Sequence, residues 1–378
     1  MVEASRDFQV FVKPTGALCN LGCTYCYYLD KEKLYSYEGD LKMSDTVLEK
    51  YIVQHLEACP EDVVIFSWHG GEPTILGLDY YRKIVELQDK HRKDGQSIVN
   101  GIQTNGTLLD DDWCRFLASE GFAVGLSMDG PQEMHDKYRL TKDLKPTFKD
   151  TLRGYKLLQK YGVYTEILCV VNSNNVKYPL EVYDFFMSLK CRYLTFLPLV
   201  DRMPKGKQGV TSISIRSGDW GRFLCKIFDE WKEKGIGRIK IQIFEEAIRT
   251  AFDQEHSLCI FRPTCGDVPV VEHNGDFYSC DHFVDPEHLI GNIMKNHLGE
   301  LLGSSAQRGF GRAKLETLPS YCLECEVKDT CNGGCPKNRF IETPYGEPGL
   351  NYLCEGYKQF FTHCKPFVKQ VAKLRKKG

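Results

Sequence analysis

The chain has 378 residues, a formal net charge of -2 and 17 cysteines. Its length indicates a large α/β unit with an appended module, and the balanced charge gives no sign of a nucleic-acid or membrane partner. Residues 1–7 lack the basic-then-apolar pattern of a signal peptide, and no apolar run approaches the length of a membrane span. We therefore expect a cytoplasmic protein whose cysteines bind metal rather than form disulfides.

Short apolar runs alternate with helical patterns from residue 8 to about residue 200. The predicted strands cover residues 8–13, 63–67, 98–103, 122–127, 164–171 and 193–199. The predicted helices cover residues 44–58, 79–93, 110–120, 147–161 and 176–189, with Ser44, Asp110 and Asn174 where N-caps are needed. Strict alternation implies right-handed crossovers and a parallel sheet. Six such units are too few for a closed eight-stranded barrel, so we predict an α/β fold with a partial (βα)6 TIM-type barrel.

Three cysteines crowd the loop after the first predicted strand, in a C-x3-C-x2-C array at Cys19, Cys23 and Cys26. Zinc needs a fourth ligand nearby, usually from a second C-x2-C pair or a histidine pair, and none follows closely in the sequence. A four-iron cluster held by three thiolates leaves one iron open to a small molecule. The array therefore favours a catalytic iron-sulfur cluster.

Polar, glycine-rich motifs follow the next three predicted strands. They are Trp68-His69-Gly70-Gly71-Glu72-Pro73, Gln103-Thr104-Asn105-Gly106 and Ser127-Met128-Asp129-Gly130. Each motif alone could be only a tight turn. Catalytic groups in such sheets gather at the carboxyl ends of the strands. These three motifs and the cysteine loop before them make four in succession at one edge, and they predict the active site.

The cysteines become dense again after a connector at residues 200–258. Eight of them could fill two four-thiolate sites: Cys259, Cys265, Cys280, Cys322, Cys325, Cys331, Cys335 and Cys354. Spacing alone leaves zinc and iron-sulfur equally open. The catalytic array favours iron-sulfur, since such an enzyme can use further one-electron centres. We place the barrel domain at residues 1–235, and the connector with the cysteine-rich domain at residues 236–378.

The six other cysteines fall singly on helical or strand patterns. We predict that they are small apolar core residues: Cys59, Cys114, Cys169, Cys191, Cys225 and Cys364.

The first array, with Tyr25 between its last two cysteines, resembles the signature of the radical S-adenosylmethionine (SAM) enzymes. The C-terminal array is similar to the SPASM/twitch extension, which holds two auxiliary [4Fe-4S] clusters. More narrowly, the chain resembles the anaerobic sulfatase-maturating enzymes in Gly-Gly-Glu-Pro-Thr, Gln-Thr-Asn-Gly-Thr-Leu, Leu-Ser-Met-Asp-Gly-Pro, Ile167-Leu168-Cys169-Val170-Val171 and Cys280-Asp281.

This resemblance implies a metal-binding oxidoreductase that carries out a post-translational modification. Reductive cleavage of SAM releases a 5′-deoxyadenosyl radical, which takes a hydrogen atom from the Cβ of a sulfatase cysteine or serine. Loss of a proton and an electron then leads to Cα-formylglycine. The implied partners are the sulfatase polypeptide and an electron donor such as flavodoxin or ferredoxin, and the implied cofactors are SAM and three [4Fe-4S] clusters, one catalytic and two auxiliary.

The resemblance also implies roles for individual residues. Cys19, Cys23 and Cys26 would hold the catalytic cluster. SAM would be contacted by Tyr25 at the adenine, by Gly70, Gly71 and Glu72 at the methionyl amino group, and by Ser127 and Arg139 near the ribose and carboxylate. The nearer auxiliary cluster would be held by Cys259, Cys265, Cys280 and Cys335. The farther one would be held by Cys322, Cys325, Cys331 and Cys354.

The implied catalytic base is Asp281, with His282 as the rival. We expect an unpaired Asp281 carboxylate in a dry pocket, where its pKa would be raised. The same residue could instead only cap a turn after Cys280. Tyr28 and His69 lie beside the cofactor motifs, where they could touch substrate or could equally be packing residues.

Two further interpretations stay open on the sequence. A different SPASM-type enzyme could use the same parts to form a thioether or carbon-carbon crosslink in a peptide. A non-enzymatic protein could instead use the cysteine modules as zinc-bearing scaffolding.

Overall fold

The structure is a computed structural model that describes residue 4 and residues 7–35, 41–204, 207 and 209–375. Residues 1–3 and 5–6, which belong to the N-terminal stretch that lacks a signal-peptide pattern, lie outside the described residues. The described residues divide into two compact units. Unit 1 contains those in the ranges 1–127, 136–165 and 266–311, and unit 2 contains those in the ranges 128–135, 166–265 and 312–378.

The described strands follow in chain order: β1 (Phe11–Lys13), β2 (Val63–Trp68), β3 (Ser97–Thr104), β4 (Ala123–Ser127), β5 (Thr165–Val171), β6 (Tyr193–Pro198), β7 (Lys240–Ile241), β8 (Val270–Glu272), β9 (Asp276–Tyr278), β10 (Leu289–Asn292), β11 (Arg339–Glu342) and β12 (Pro348–Asn351).

The described α-helices, again in chain order, are α1 (Asp45–Ala58), α2 (Leu78–His91), α3 (Asp111–Ser119), α4 (Gln132–His135), α5 (Phe148–Lys160), α6 (Pro179–Ser188), α7 (Ser217–Lys234), α8 (Gln242–Arg249), α9 (Leu298–Leu302), α10 (Ser305–Glu316), α11 (Ser320–Leu323), α12 (Lys328–Cys331) and α13 (Cys354–Arg375). Across the described part of the chain, no helix is both long enough and apolar enough to cross a bilayer.

In unit 1 the strands lie in the order β10-β9-β8-β1-β2-β3-β4. Strands β8, β1, β2, β3 and β4 run parallel, and β9 and β10 add antiparallel pairs at one side. The pairing of β8 with β1 brings Glu272 into register with Lys13. A segment far along the chain therefore flanks the strand that leads to the cysteine loop.

The core of unit 1 is built where helix and strand periodicities meet. On α1 the residues Leu48, Tyr51 and Ile52 recur at helical spacing and are fully buried. On β2 the alternate residues Phe66 and Trp68 point to the same side and are also fully buried. These side chains form one hydrophobic cluster, which fixes the carboxyl end of β2 and the loop that follows it.

Unit 2 contains the parallel strands β5, β6 and β7 and the antiparallel hairpin β11–β12. Its long helices α7 and α13 pack closely at two glycines. A Cβ on Gly221 would lie 2.9 Å from the Cα of Gly356, and a Cβ on Gly356 would lie 2.3 Å from the carbonyl oxygen of Ser217. This close approach anchors α13, whose first residue is Cys354.

All six predicted strands and five predicted helices are present, with shifted ends. Strand β1 begins only at Phe11, because Pro269 opposite it has no N–H to extend the ladder. The predicted caps at Ser44 and Asp110 are confirmed. The cap at Asn174 is wrong, since α6 begins at Pro179, after a separate 3-10 turn.

Candidate active site

The three-cysteine loop is held by the chain segment around Arg139. The N–H of Gly22 donates to the carbonyl oxygen of Leu140 at 2.8 Å, and the N–H of Thr24 donates to that of Tyr138 at 2.9 Å. A turn then closes the end of the loop, where the N–H of Cys26 donates to the carbonyl oxygen of Cys23 at 3.0 Å. The loop therefore has a fixed backbone, and its thiols lie near enough for charge on Cys23 and Cys26 to act on Cys19.

These thiols lie in a setting that makes the free thiolate unfavourable. Burial raises the pKa of Cys19 to about 12, against an opposing N–H of Leu21 that donates to its sulfur at 3.3 Å. Burial also raises the pKa of Cys26, although Arg139 and Lys13 oppose the shift. A metal centre that binds these sulfurs as thiolates supplies the missing stabilisation. Three soft sulfur donors fit an iron-sulfur cluster with one open iron.

The two glycines after β2 pack directly against the turn that precedes Cys19. A Cβ on Gly71 would lie 2.2 Å from the carbonyl oxygen of Leu18, and a Cβ on Gly70 would lie 2.4 Å from the Oγ1 of Thr15. Gly70 also has φ +135°, which side-chain-bearing residues rarely adopt. The glycines therefore bring the loop after β2 close to the cysteine loop.

The carboxylate of Glu72 is buried and is occupied by donors from its own chain. Its Oε1 accepts from the N–H of Thr74 at 3.1 Å and from the hydroxyls of Thr74 at 2.6 Å and Thr104 at 2.7 Å. Its Oε2 accepts from the N–H of Asn105 at 2.7 Å. Burial raises the pKa of Glu72, although each of these bonds opposes the shift. The side chain thus joins the loops after β2 and β3.

The residues predicted to contact SAM are partly brought together in unit 1. The guanidinium of Arg139 lies over the ring of Tyr25, 5.4 Å from its centroid, and Tyr138 contacts the same ring edge-on. Ser127 accepts a hydrogen bond from the side-chain amide of Gln103 at 3.1 Å. Tyr25 and Arg139 therefore offer a flat aromatic face and a buried cation beside the cysteine loop.

Asp281 is paired, contrary to the expectation of a free carboxylate. Its Oδ1 lies 2.6 Å from the ammonium of Lys13, and the hydroxyl of Tyr27 donates to its Oδ2. Burial alone would raise the pKa of Asp281, but Lys13, His282 and Tyr27 together outweigh it and hold the pKa below its usual range. The predicted raised pKa is therefore wrong, because the Lys13 ammonium on β1 lies beside the carboxylate in space and far from it in the sequence.

Tyr28 is buried, and its hydroxyl donates to the carboxylate of Glu272. Burial raises the pKa of Glu272, while His273 and Lys13 lower it. His69 stacks on Phe11 with ring centroids 4.0 Å apart. Desolvation lowers the pKa of His69 to about 3, and the nearby Lys13 ammonium acts in the same direction. His69 is therefore a neutral ring near neutral pH.

Four of the C-terminal cysteines line a single cavity in unit 2: Cys322, Cys325, Cys331 and Cys354. Burial raises the pKa of Cys331 to about 12, and charge on the other three thiols acts in the same direction. Four thiols around one cavity fit a four-iron cluster in which every iron has a protein ligand. These are the ligands predicted for the farther auxiliary cluster.

Three of the ligands predicted for the nearer auxiliary cluster, Cys259, Cys265 and Cys335, also lie in unit 2, and Cys280 lies in unit 1. Burial raises the pKa of Cys265 to about 12, and charge on Cys335 and Cys259 adds to the shift. The ammonium of Lys314 is 1% exposed and donates to the carbonyl oxygens of Cys259 at 2.7 Å and Ile260 at 2.9 Å. A lysine on α10 therefore fixes the turn at Cys259.

Sequence reasoning missed three residues that shape these sites. Lys13 and Tyr27 hold Asp281, and Lys314 holds the turn at Cys259. For Lys13 a signal was available, since it ends a predicted strand at the edge where catalytic groups gather. Tyr27 and Lys314 have no such signal, because their partners lie far away in the sequence.

Family comparisons agree with this geometry. The model of the Radical SAM superfamily matches residues 14–186, and the model of the SPASM iron-sulfur cluster-binding domain matches residues 259–326. With the three-cysteine loop and the alternating parallel strands, these matches define a radical SAM enzyme with a SPASM-type iron-sulfur domain. They confirm the predicted fold class and imply iron-sulfur clusters, which excludes the zinc-scaffold alternative.

Relatives extend over nearly the whole chain. The serine-type anaerobic sulfatase-maturating enzyme of Bacteroides thetaiotaomicron is 44% identical over 98% of this chain and 92% of its own length. The cysteine-type enzyme of Clostridium perfringens is 34% identical over 96% of this chain and 98% of its own. A solved structure of native anSMEcpe with bound AdoMet and Cp18Cys peptide matches with a TM-score of 0.87 and 34% identity, covering 97% of this chain and 99% of that one. This chain belongs to the anaerobic sulfatase-maturating enzymes.

Proposed function

We propose that this chain oxidises a cysteine or serine side chain of a sulfatase to Cα-formylglycine, with Asp281 as the base. The observation that carries the proposal is the carboxylate of Asp281, which is 13% exposed and is held at both oxygens by Lys13 and Tyr27, in the same unit as the three-cysteine loop. Relatives of both the serine type and the cysteine type support the two side chains as substrates.

Cys19, Cys23 and Cys26 would hold the catalytic cluster, whose open iron would take SAM. When bound, this cluster and SAM supply the radical that removes a hydrogen atom from the substrate Cβ, and the auxiliary clusters supply the acceptor for the second electron. Asp281 takes the proton of the substrate thiol or hydroxyl, so that a C=S or C=O bond forms. The C=S product then exchanges with water to give the aldehyde and hydrogen sulfide.

We assign the SAM contacts within the loops around the cysteines. Tyr25 would lie against the adenine, and Arg139 would pair with the carboxylate through its parallel N–H groups. Because the Glu72 carboxylate is occupied by Thr74, Thr104 and Asn105, the backbone carbonyls of Gly70 and Gly71 would accept from the methionyl ammonium. The backbone carbonyl of Glu72 already accepts from the N–H of Ile75 at 3.2 Å. Ser127 would lie near the ribose.

For substrate contacts we retain Tyr28 and His69, with roles narrowed by their surroundings. The Tyr28 hydroxyl is bonded to Glu272, so its ring rather than its hydroxyl would face the peptide. His69 is neutral near neutral pH, so it would offer a hydrogen bond rather than a charge.

The auxiliary clusters complete the proposal. We assign Cys259, Cys265, Cys280 and Cys335 to one [4Fe-4S] cluster and the four cavity-lining cysteines to a second, which gives three clusters with the catalytic one. We also propose the domain division given above, with the barrel domain at residues 1–235 and the connector and cysteine-rich domain at residues 236–378. An electron donor such as flavodoxin or ferredoxin would serve the enzyme in the cytoplasm.

The test uses anaerobically reconstituted enzyme with SAM, a reductant and peptides carrying Cys-x-Pro-x-Arg or Ser-x-Pro-x-Arg. Deoxyadenosine and aldehyde-bearing peptide are followed together by chromatography and mass spectrometry. Cys23→Ala should abolish SAM cleavage, whereas Asp281→Asn should still cleave SAM and lose most of the aldehyde. Asp89→Asn, on the exposed face of α2, is the matched control and should behave as the unmodified protein.

Two outcomes would contradict the proposal. Deoxyadenosine without aldehyde from either peptide would keep the radical SAM class but exclude the maturase activity on these motifs. Aldehyde from Asp281→Asn at the unmodified rate would remove Asp281 from the mechanism, and His282 would then become the base to examine.

A further inference from the structure

We propose that Lys13, together with Tyr27, positions the Asp281 carboxylate and thereby couples SAM cleavage to substrate oxidation. The inference rests on the function proposed above. It assigns a positioning role to Lys13 and Tyr27, which contact the base rather than the substrate.

Lys13 is the last residue of β1, at the carboxyl edge of the unit 1 sheet, where the cysteine loop begins. Its side chain is only 3% exposed, and its Nζ lies 2.6 Å from the Oδ1 of Asp281, which is itself 13% exposed. An ammonium buried to this degree requires a paired anion, and Asp281 supplies it. The pair therefore joins β1 to the segment after β9 inside the site.

Other contacts fix where the Lys13 ammonium can lie. It sits over the ring of Tyr28, 4.1 Å from the centroid. The hydroxyl of Tyr28 is in turn bonded to Glu272, the register partner of Lys13 on β8. The cation is thus confined between an aromatic face and the Asp281 carboxylate, which leaves it little freedom to move.

The second carboxylate oxygen of Asp281, Oδ2, accepts a hydrogen bond from a tyrosine hydroxyl. Tyr27, which follows Cys26 in the sequence, donates its hydroxyl to Oδ2. A carboxylate with one fixed donor can still rotate about that contact, whereas donors on both oxygens fix the plane of the group. Lys13 and Tyr27 together therefore set the direction in which the remaining lone pairs of Asp281 point.

This direction matters because a general base acts only within hydrogen-bond reach of the proton that it removes. Displacement of a catalytic group by about 1 Å can lower a rate by roughly a hundredfold. Loss of Lys13 should leave the SAM-binding loops in place, since the Gly70 to Glu72 segment and Arg139 are held by other contacts. SAM cleavage should then continue while the carboxylate no longer meets the substrate proton.

The experiment compares Lys13→Met and Tyr27→Phe in the reconstituted full-length enzyme. Methionine retains the apolar length of the lysine stem. Tyr27 is 47% exposed, so removal of the Tyr27 hydroxyl leaves the core intact. Lys83→Met, which removes an exposed lysine paired with Asp45, is the matched control. The readouts are the ratio of aldehyde to deoxyadenosine, the peptide KM and kcat, the iron content, and the change in the EPR spectrum of the reduced cluster when SAM is added.

We expect the ratio of aldehyde to deoxyadenosine to fall by about tenfold or more in Lys13→Met, through kcat rather than KM. Tyr27→Phe should shift the ratio in the same direction by a smaller factor, and Lys13→Arg should recover part of it. Iron content and the SAM-dependent EPR change should match the unmodified protein. Lys83→Met should leave every readout unchanged.

A Lys13→Met enzyme with the unmodified ratio would overturn this inference alone, as would a parallel fall of both products. If Lys13→Met does not fold, an unchanged ratio in Tyr27→Phe overturns it. Absence of aldehyde from the unmodified enzyme would instead overturn the proposed function, and this inference with it.

Discussion

The carboxylate of Glu72 accepts the backbone N–H of Asn105 at 2.7 Å, and this bond joins the loop after β2 to the loop after β3. The side-chain amide of Asn105 then donates to Asn20 in the cysteine loop at 2.9 Å. Three loops at one edge of the sheet are therefore connected through two hydrogen-bonded residues. Glu72 therefore stabilises the positions of these loops, and it affects the cofactor site through that stabilisation.

We expect Glu72→Gln to lower the free energy of unfolding by roughly 1–3 kcal/mol, because an NH2 group would replace an oxygen that now accepts from buried donors. Thermal unfolding of the reconstituted protein measures the loss. Glu61→Gln, at an exposed position, should change the unfolding temperature little. Equal unfolding temperatures for Glu72→Gln and the unmodified protein would contradict the bracing role.

Gly71→Ala should disturb the cysteine loop, since the added Cβ would lie 2.2 Å from the Leu18 carbonyl oxygen and the backbone must move. We expect a loss of roughly 1–3 kcal/mol in stability and reduced SAM cleavage per iron. Gly309→Ala on α10, where a Cβ would meet nothing within 4 Å, is the control. Full SAM cleavage by Gly71→Ala would show that the loop tolerates the displacement.

Lys314→Met should remove the donor that now serves the carbonyl oxygens of Cys259, Ile260 and Arg262. Each buried carbonyl left without a donor costs about 1–3 kcal/mol, so the turn at Cys259 should loosen. We expect lower iron content and a lower unfolding temperature, with SAM cleavage retained. Unchanged iron and unfolding temperature would mean that the turn is held by other contacts.

Cys331→Ala should remove the cluster from the cavity lined by four cysteines and should leave the other clusters in place. If three four-iron clusters are present, iron per chain should fall from about twelve to about eight, with SAM still cleaved. Cys364→Ala is the matched control, because Cys364 is a buried thiol outside the predicted ligand sets and its loss should leave the iron content unchanged. Iron analysis and deoxyadenosine formation test both variants, and equal iron in both would contradict the cluster assignment.

His55 should make stability depend on pH in the acid range. Its ring is buried, and its Nδ1 is hydrogen-bonded to the Tyr51 hydroxyl at 2.8 Å. Burial lowers the pKa of His55 to about 3. The unfolded chain, with a histidine pKa of about 6.5, binds the proton first, so stability falls as pH falls from about 6.5 towards 3. The slope should not exceed about 1.4 kcal/mol per pH unit.

Urea unfolding between about pH 7 and pH 5 tests this expectation, with His55→Gln as the comparison. The variant should be less stable at neutral pH but should show a flatter dependence on pH. An equally steep dependence in His55→Gln would assign the effect to other groups.

Predictions from periodicity held for the strands and helices up to residue 200, because alternating apolar runs and capping residues are local signals. Their ends were less well defined where a proline or a distant partner intervened, as at Pro179 and opposite Pro269. The short strands β7 to β12 were not predicted, since each is stabilised by pairing with a segment that local sequence does not reveal.

The sequence by itself determined the chemistry of this protein. Thiol spacing at Cys19 to Cys26 and the glycines at 70 and 71 are consecutive features, and a cluster or a close backbone approach needs only such short-range patterns. The tertiary structure decided how the base is held. Lys13 and Asp281 are separated by most of the chain, and only the parallel pairing of β1 with β8 brings them within 2.6 Å. Because the charge state of a buried carboxylate depends on its neighbours in space, the pKa of Asp281 could not be predicted from the residues beside it in the sequence.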